Sequence, residues 1–212
     1  FPVPTAFVIP TYVYSLHISE AGVAQLINDV YTADLNDEQV RDSMKPKLQT
    51  IREKIMVTPL NPEVITNLKL FLDSVDAGSF FAVRSSSSAE DLASQSFAGQ
   101  YDTWLYKTSL DEIVESVKGC WMSMFKENIT DYATHFEDYV PGKIAPPTMG
   151  VLIMKMIDSQ ASGVCFSRNF WGDDNEAMIE AVLGQGEGLV SGAITPDRYV
   201  VDKYSTRVCY SD

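Results

Sequence analysis

Apolar residues recur at every third or fourth position along much of the first half of the chain, which is the spacing of helices with one buried face. Residues 13–31 predict a first helix of this kind. Asn36, followed by acidic residues, predicts the cap of a second helix that runs toward Met56 and is kinked or broken at Pro46. The buried face of the first helix is predicted to carry Leu16, Val23, Leu26, Ile27 and Val30.

Two further helices have clearer starting signals. Asn61 is followed by Pro62, a residue favoured in the first helical turn, and the apolar stripe behind it runs toward Gly78, where a C-terminal cap is expected. Ser109 and Glu112 have the spacing of a capping box in front of a long amphipathic stretch. We interpret all four helices as scaffold.

A hairpin pattern lies between the third and fourth helices. Residues 80–83 form a short apolar strand that runs into Arg84. A serine-rich acidic loop and a small-residue turn at 96–100 follow, and residues 101–106 return as an alternating strand. The pattern therefore places a guanidinium at a strand end, opposite a flexible turn.

From residue 146 onward the pattern changes to strands. The apolar run 149–157 is predicted to pair with residues 161–167 across a short turn, and strands at 178–183 and 199–202 are expected to extend the same antiparallel sheet. Helices followed by antiparallel strands predict an α+β fold.

Length and composition allow a sizeable core. With 212 residues, 45% of them hydrophobic, the chain can form one domain or two packed lobes. We expect a helix-rich lobe over about 1–145, which includes the Arg84 hairpin, and a β-rich lobe over about 146–212. Because the chain begins at Phe1 rather than Met, we expect it to be part of a longer protein.

Charge and cysteine usage narrow the functional classes. A net charge of -13 and a pI near 4.5 disfavour a nucleic-acid or anionic-membrane partner, since both require a basic surface. No apolar run approaches about 18 residues, so neither a membrane span nor a signal peptide is expected. Three separated cysteines without a CxxC pair indicate a reducing, cytoplasmic compartment and no structural zinc.

Arg84 is the first candidate for ligand chemistry. A guanidinium presents a planar fork of donors that matches phosphate oxygens and stays charged at any working pH. The loop behind it adds hydroxyls and backbone N–H groups, and Gly99 allows the backbone to approach a ligand closely. These local features alone leave phosphate binding and an ordinary serine-rich surface loop both open.

Two other polar residues, Lys155 and Glu180, leave two interpretations each. Lys155 stands alone in an apolar strand, so its partner is either an anionic ligand or an internal carboxylate. Glu180 either meets a ribose or cation or is a surface carboxylate. We interpret His135 as a structural or surface histidine, because it has no nucleophile or metal-ligand partner nearby in sequence.

The stretch that contains Arg84 is similar to a known family. Val83-Arg84-Ser85-Ser86, Glu90-Asp91-Leu92, Ser96 to Gln100 and Asp102-Thr103 resemble the VRSS, EDL, SFAGQ and (D/E)-T motifs of the phosphoenolpyruvate synthase and pyruvate phosphate dikinase family. The resemblance implies an ATP-grasp-type nucleotide-binding domain. Glucan water dikinases and rifampicin phosphotransferases share this domain, so the motifs do not choose the acceptor.

The second half carries weaker matches to the same family. Residues 153–157 followed by 162–167 resemble its adenine-side strands, and residues 184–192 resemble its GLGE-x-VVSG turn. Two residues depart from the pattern, because Met154 replaces a glutamine and Phe170 replaces a proline. The first change removes a side-chain hydrogen bond, and a backbone hinge at 155–157 is left to read the adenine.

The resemblance implies that separate domains perform separate steps of the reaction. MgATP bound between two lobes phosphorylates a histidine on a separate swivelling domain, which carries the phosphate to an acceptor-substrate domain. Arg84 would clamp phosphates, residues 96–100 would close as a lid, Thr103 would support that lid, and residues 155–157 would hold adenine. The nucleotide-binding residues expected in this way are Arg84, Ser96, Gly99, Gln100, Thr103, Lys155, Met156, Ile157 and Glu180, with no catalytic residue or metal ligand of the chain's own.

Several motifs of the family's enzymes are not in this sequence. The family's upstream Lys-Gly-x-Asn-Leu motif, its downstream Asp-Ile-Glu and Leu-Gln-x-Arg segments, and its phosphoryl-carrying histidine motif are missing. We therefore expect these 212 residues alone to bind nucleotide weakly and to catalyse nothing. The alternative to a dikinase is a non-catalytic nucleotide-binding module used for regulation or assembly.

Overall fold

The structure, a computed structural model, describes residues 2–87, 102–126 and 146–211, with the backbone alone at 91–92 and 95–96. These residues belong to two compact units, Phe1–Met156 and Ile157–Asp212. No helix in this described part is both long and apolar enough to cross a lipid bilayer.

The described part of the first unit contains five helices, and the first prediction about them is wrong. The helix predicted over 13–31 is two helices, because the chain turns at Gly22 with a φ of +64°, a backbone conformation that ends an α-helix. Leu16 is also exposed rather than buried. The helices are α1 (Thr11–Glu20), α2 (Ala24–Thr32), α3 (Glu38–Val57), α4 (Pro62–Asp73) and α5 (Leu110–Ser123).

The second helix, α3, differs from its prediction at its start. Its cap is Asp37, one residue after Asn36, and the Asp37 carboxylate accepts hydrogen bonds from the backbone of Gln39 and Val40. The helix also continues through Pro46 instead of breaking there. Its buried residues lie beyond the proline and include Ile51, so tertiary packing stabilises the helix past the missing hydrogen bond.

The predicted starts of α4 and α5 are confirmed. The Asn61 side chain accepts a hydrogen bond from the Glu63 N–H at 2.9 Å. Ser109 and Glu112 form a complete capping box, in which the Glu112 carboxylate accepts from the Ser109 N–H at 3.0 Å. Hydrogen bonds from Thr108 and Ser109 lower the pKa of Glu112 to about 2.

The sheet of the first unit is four-stranded and antiparallel. Its strands are β1 (Ala6–Ile9), β2 (Phe81–Ser87), β5 (Thr103–Lys107) and β6 (Met149–Lys155), in the order β1-β6-β2-β5. Two-residue strands β3 (Asp91–Leu92) and β4 (Gln95–Ser96) pair separately. One face of the main sheet packs Val83 and Ile153 into a core with Trp121 and Phe125, and all four side chains are buried.

The hairpin predicted between residues 149–157 and 161–167 is wrong. Strand β6 lies between β1 and β2 in the first unit, while residues 161–166 pair within the second unit. An apolar run predicts a buried strand but does not identify its neighbour, and this strand's neighbours are distant in sequence. The division expected near residue 145 thus falls before β6, whereas the first unit ends at Met156 and the second begins at Ile157.

The second unit is an antiparallel meander. Its strands are β7 (Ala161–Phe166), β8 (Glu176–Leu183), β9 (Asp197–Asp202) and β10 (Val208–Ser211), in the order β10-β9-β8-β7. The strands predicted at 178–183 and 199–202 are confirmed with two extra residues at the start of each. The glycine-rich turn contains a short helix, α6 (Glu187–Val190), and connects β8 to β9.

Candidate functional site

The sheet of the first unit brings two of the predicted site residues together. Arg84 in β2 lies directly opposite Thr103 in β5 and Leu152 in β6. Directly opposed residues of antiparallel strands have Cβ atoms about 4.5–5.5 Å apart on one face of the sheet. The Arg84 and Thr103 side chains are therefore neighbours, and both are exposed.

Alternation along β2 explains why Arg84 faces outward. Phe81 and Val83 are buried against the helices, so Ala82 and Arg84 belong to the opposite face, which we call the outer face. Among the residues whose side chains are described, none forms an ion pair or hydrogen bond with the Arg84 guanidinium. An arginine presented in this way is available to an anionic ligand.

The loop predicted to close over the phosphates is described only in part. Ser96 is the last residue of β4 and is paired with Asp91 of β3. Gly99 and Gln100 lie outside the described residues. The lid role of residues 96–100 therefore remains a prediction.

Lys155 has an internal partner. Its ammonium lies 2.6 Å from a carboxylate oxygen of Asp76, and the hydrogen bond and charge of the ammonium lower the pKa of Asp76. Lys155 is paired in register with the buried Phe81, which places it on the helix-packed face rather than the outer face of Arg84. Of the two interpretations of Lys155, the structure shows the internal ion pair.

Met156 follows β6 and extends its pairing with β2. Its N–H donates to the carbonyl of Phe80 at 2.8 Å, and its sulfur accepts from the N–H of Tyr106 at 3.3 Å. The rings of Phe80 and Tyr106 meet edge to face at 5.9 Å. Sequence reasoning assigned no role to these two aromatic residues, although both are 48% exposed.

Ile157 and Glu180 belong to the second unit. Ile157 is exposed, and its carbonyl accepts a hydrogen bond from the Gln185 side chain. Glu180 in β8 lies opposite Arg198 in β9 and accepts two hydrogen bonds from its guanidinium, at 2.9 and 3.2 Å. That guanidinium also lies 4.9 Å from the centre of the Trp171 ring. A groove of about 500 Å³ adjoins this group and is lined by Asn169, Trp171, Glu176, Arg198, Val200, Cys209 and Tyr210.

The described histidine and cysteines show no catalytic arrangement. His17 is buried, and its Nε2 lies 3.0 Å from the carbonyl of Ile55, as expected of a structural histidine. Burial lowers its pKa. Burial also raises the pKa of the Cys120 thiol to about 12, so this thiol is not a nucleophile at neutral pH. His135 lies outside the described residues.

Comparison with known proteins agrees with the fold and the exposed Arg84 described above. The sequence profile of the pyruvate phosphate dikinase AMP/ATP-binding domain matches residues 1–211. The chain belongs to this family. Its α+β organisation of helices and two main antiparallel sheets is consistent with an ATP-grasp-like nucleotide-binding domain.

Several curated proteins are similar to this chain. A probable phosphoenolpyruvate synthase of Staphylothermus marinus is 35% identical over 98% of the chain, which corresponds to 25% of that protein. A rifampicin phosphotransferase of a Streptomyces species is 34% identical over 92% of the chain and 22% of its own length. An uncharacterized phosphotransferase of Bacillus subtilis, YvkC, is 44% identical over 60% of the chain and 15% of its own length. The chain thus spans about a quarter or less of these relatives.

Proposed function

We propose that this AMP/ATP-binding domain binds MgATP through the outer face of its first sheet, and that the parent protein is a dikinase of the phosphoenolpyruvate synthase type. In this proposal the nucleotide phosphorylates a histidine on a separate swivelling domain, which passes the phosphate to an acceptor domain. The observation that supports it best is the exposed Arg84 guanidinium beside Thr103, on a strand anchored by the buried core.

The role of the domain would be to position the nucleotide and to neutralise its charge. Phosphoryl transfer requires little covalent chemistry from the protein, and a guanidinium can bind phosphate oxygens with two parallel hydrogen bonds. Arg84 supplies that fork, residues 96–100 close over the phosphates, and Thr103 in β5 supports this closing loop. With a net charge of -13, the chain repels a free polyphosphate, so these local donors and a bound cation are needed.

Magnesium would be bound mainly through the nucleotide. The described residues contain no group of three or more His, Cys, Asp or Glu side chains that could hold a metal. Mg²⁺ at nucleotide sites commonly uses one or two carboxylates together with substrate phosphates and waters. We therefore propose that Mg²⁺ arrives with ATP.

The first experiment measures ATP binding by the full-length parent protein with Arg84 replaced. Arg84→Ala should weaken MgATP binding about 10- to 100-fold, because a charge-assisted hydrogen bond contributes about 1.5–3 kcal/mol. Arg84→Lys should be intermediate, since it keeps the charge and loses the fork. The matched control is Arg207→Ala, at an exposed arginine of the second unit. Equal affinities of the Arg84 and Arg207 variants would contradict the phosphate role.

A second experiment distinguishes a dikinase from its alternatives. The parent protein is incubated with MgATP labelled at the β-phosphate, and acid-labile, base-stable label on the chain would indicate a phosphohistidine. Bound ATP without label would favour a non-catalytic regulatory module, in which Arg84→Ala changes only partner binding. A phosphohistidine whose label passes to an antibiotic rather than to pyruvate would instead favour the activity named for the Streptomyces relative.

A further inference from the structure

Two exposed aromatic side chains line the groove of the second unit. Trp171 is 73% exposed and Tyr210 is 54% exposed, while Val200, which also lines the groove, is buried. Tyr210 lies directly opposite Val200 in the pairing of β10 with β9, so the two side chains share one face of the sheet. Arg198 is two residues before Val200 and lies on the same face. Large aromatic side chains left exposed around a concave surface indicate a ligand site.

The turn that carries Trp171 is held by hydrogen bonds. The buried Asn169 donates through Nδ2 to Glu176 Oε2 at 2.8 Å, and its Oδ1 accepts from the Trp171 N–H at 3.1 Å. The backbone N–H of Asn169 also donates to the carbonyl of Glu176 at 3.0 Å. A Cβ on Gly172 would overlap the side chains of Asn169 and Glu176, so the turn is closely packed. The indole is therefore positioned before a ligand arrives, which lowers the entropic cost of binding.

Two charged groups at the groove keep unused hydrogen-bonding capacity. The Arg198 guanidinium donates to Glu180 through Nε and Nη2 and lies 4.9 Å from the centre of the Trp171 ring. Glu176 accepts hydrogen bonds from its turn through Oε2. Among the described residues, no hydrogen bond uses Arg198 Nη1 or Glu176 Oε1. A guanidinium only donates and an ionised carboxylate only accepts, so a ligand of this groove must supply both an acceptor and a donor.

These groups disfavour three classes of ligand. An anion would meet the Glu176 carboxylate, while the charge of Arg198 is already balanced by Glu180. A cation would find the Trp171 ring already covered by the Arg198 guanidinium, which would repel it. A wholly apolar ligand would cover a carboxylate and a guanidinium without giving either a hydrogen bond, which is costly. Hydroxyl groups satisfy both, because each can donate and accept.

We propose that this groove binds a neutral sugar ring of the hexopyranose class. The C–H face of a pyranose can pack against Trp171 and Tyr210, while its hydroxyl groups donate to Glu176 and accept from Arg198. The groove volume of about 500 Å³ is within the range of small-ligand sites. The groove is formed by residues of the second unit alone, so this inference does not rest on the nucleotide site proposed for the first.

The test measures sugar binding to the full-length parent protein by saturation-transfer difference NMR. The probes are the methyl pyranosides of glucose, galactose and mannose. We expect at least one to bind with a Kd on the order of 1 mM, which is reasonable for a ligand of about 13 non-hydrogen atoms. Trp171→Ala and Tyr210→Ala should each weaken that binding about 10-fold or more, because each removes an aromatic surface. Both side chains are exposed, so neither change should unfold the protein.

A third variant tests the hydrogen bonds separately from the rings. Glu176→Gln retains an oxygen for the turn but replaces the free carboxylate oxygen with an uncharged amide. Because charge-assisted hydrogen bonds are roughly twice as strong as neutral ones, this variant should bind the sugar several-fold more weakly. The matched control is Tyr204→Ala, at a tyrosine of the second unit that is 84% exposed and does not line the groove. It should bind the sugar as the wild type does.

Further ligands test the class of molecule and the independence of the groove. Glucitol, which has the hydroxyl groups without the ring, should bind more weakly than the pyranosides, and saturating MgATP should not displace the sugar. Tighter binding of choline or of N-acetyl-leucinamide than of every pyranoside would overturn the inference in favour of a cation or a peptide. Absence of pyranoside binding, equal binding by wild type and both ring variants, or displacement by MgATP would also overturn it. None of these results bears on the role of Arg84, which the ATP titrations test.

Discussion

Gly119 allows a test of how the strand that carries Thr103 is packed. Gly119 is buried in α5, and an added Cβ would lie 2.8 Å from Cζ2 and 2.9 Å from Cε2 and Nε1 of Trp104. Carbon atoms in contact are normally about 3.5–4.0 Å apart, so the indole would have to retreat by roughly 1 Å. Gly119→Ala should therefore force Trp104, and with it β5, away from the helix.

The magnitude follows from two opposing terms. Alanine is favoured over glycine inside a helix by about 1 kcal/mol. Overpacking of a filled site costs about 1–3 kcal/mol, and the ring can move in part because Trp104 is 37% exposed. We expect Gly119→Ala to destabilise the wild type by about 0–2 kcal/mol and to stabilise a Trp104→Ala background by about 1 kcal/mol. The effect of the methyl group should thus change with the presence of the ring.

The assay is a double-mutant cycle measured by urea unfolding and far-ultraviolet circular dichroism. The change in the free energy of unfolding caused by Gly119→Ala is measured separately in the protein with Trp104 and in the Trp104→Ala protein. The loss of the indole signal therefore does not affect the comparison. The coupling energy should be about 1–3 kcal/mol, well above the tolerance for independent sites. Equal stabilisation of both backgrounds would refute the reasoning, because it would mean that Trp104 does not occupy the space beside Gly119.

Three further predictions concern local features. Ser109→Ala should destabilise the chain by about 1 kcal/mol in urea unfolding, while Ser109→Asp, which keeps a cap, should lose less. Burial lowers the pKa of His17 below its ordinary 6.5, so the folded state binds this proton less readily than the unfolded state. The contribution of neutral His17 to the free energy of unfolding is complete above pH 6.5 and should fall as the pH decreases through the folded pKa. A His17→Gln variant whose free energy of unfolding depends on pH with the same slope as that of the wild type would contradict this. In the native protein, a thiol reagent should label the two exposed thiols, Cys165 and Cys209. In the denatured protein it should label three, because Cys120 is buried in the fold and its pKa is raised to about 12. Rapid labelling of native Cys120 would count against its burial.

Features encoded within a few residues were predictable from the sequence alone. The caps at Asn61 and Ser109 depend on hydrogen bonds to groups two or three residues away, so the local residues suffice to specify them. The exposed position of Arg84 follows from alternation with Phe81 and Val83, which are buried. The segment around Arg84 also revealed the resemblance to the family, because the motif residues are contiguous in the chain.

The tertiary structure decided what depends on distant partners. Apolar residues show that β6 is buried, but its neighbours β1 and β2 lie far away in sequence, and local pattern contains no information about that pairing. Pairing with β2 then placed Lys155 opposite Phe81, where it meets Asp76. The register shift between β2 and β5 turned Tyr106 toward Phe80, against the alternation of its own strand. Strand order and register arise from competition among all the strands for a common core, and for that reason only the folded chain specifies them.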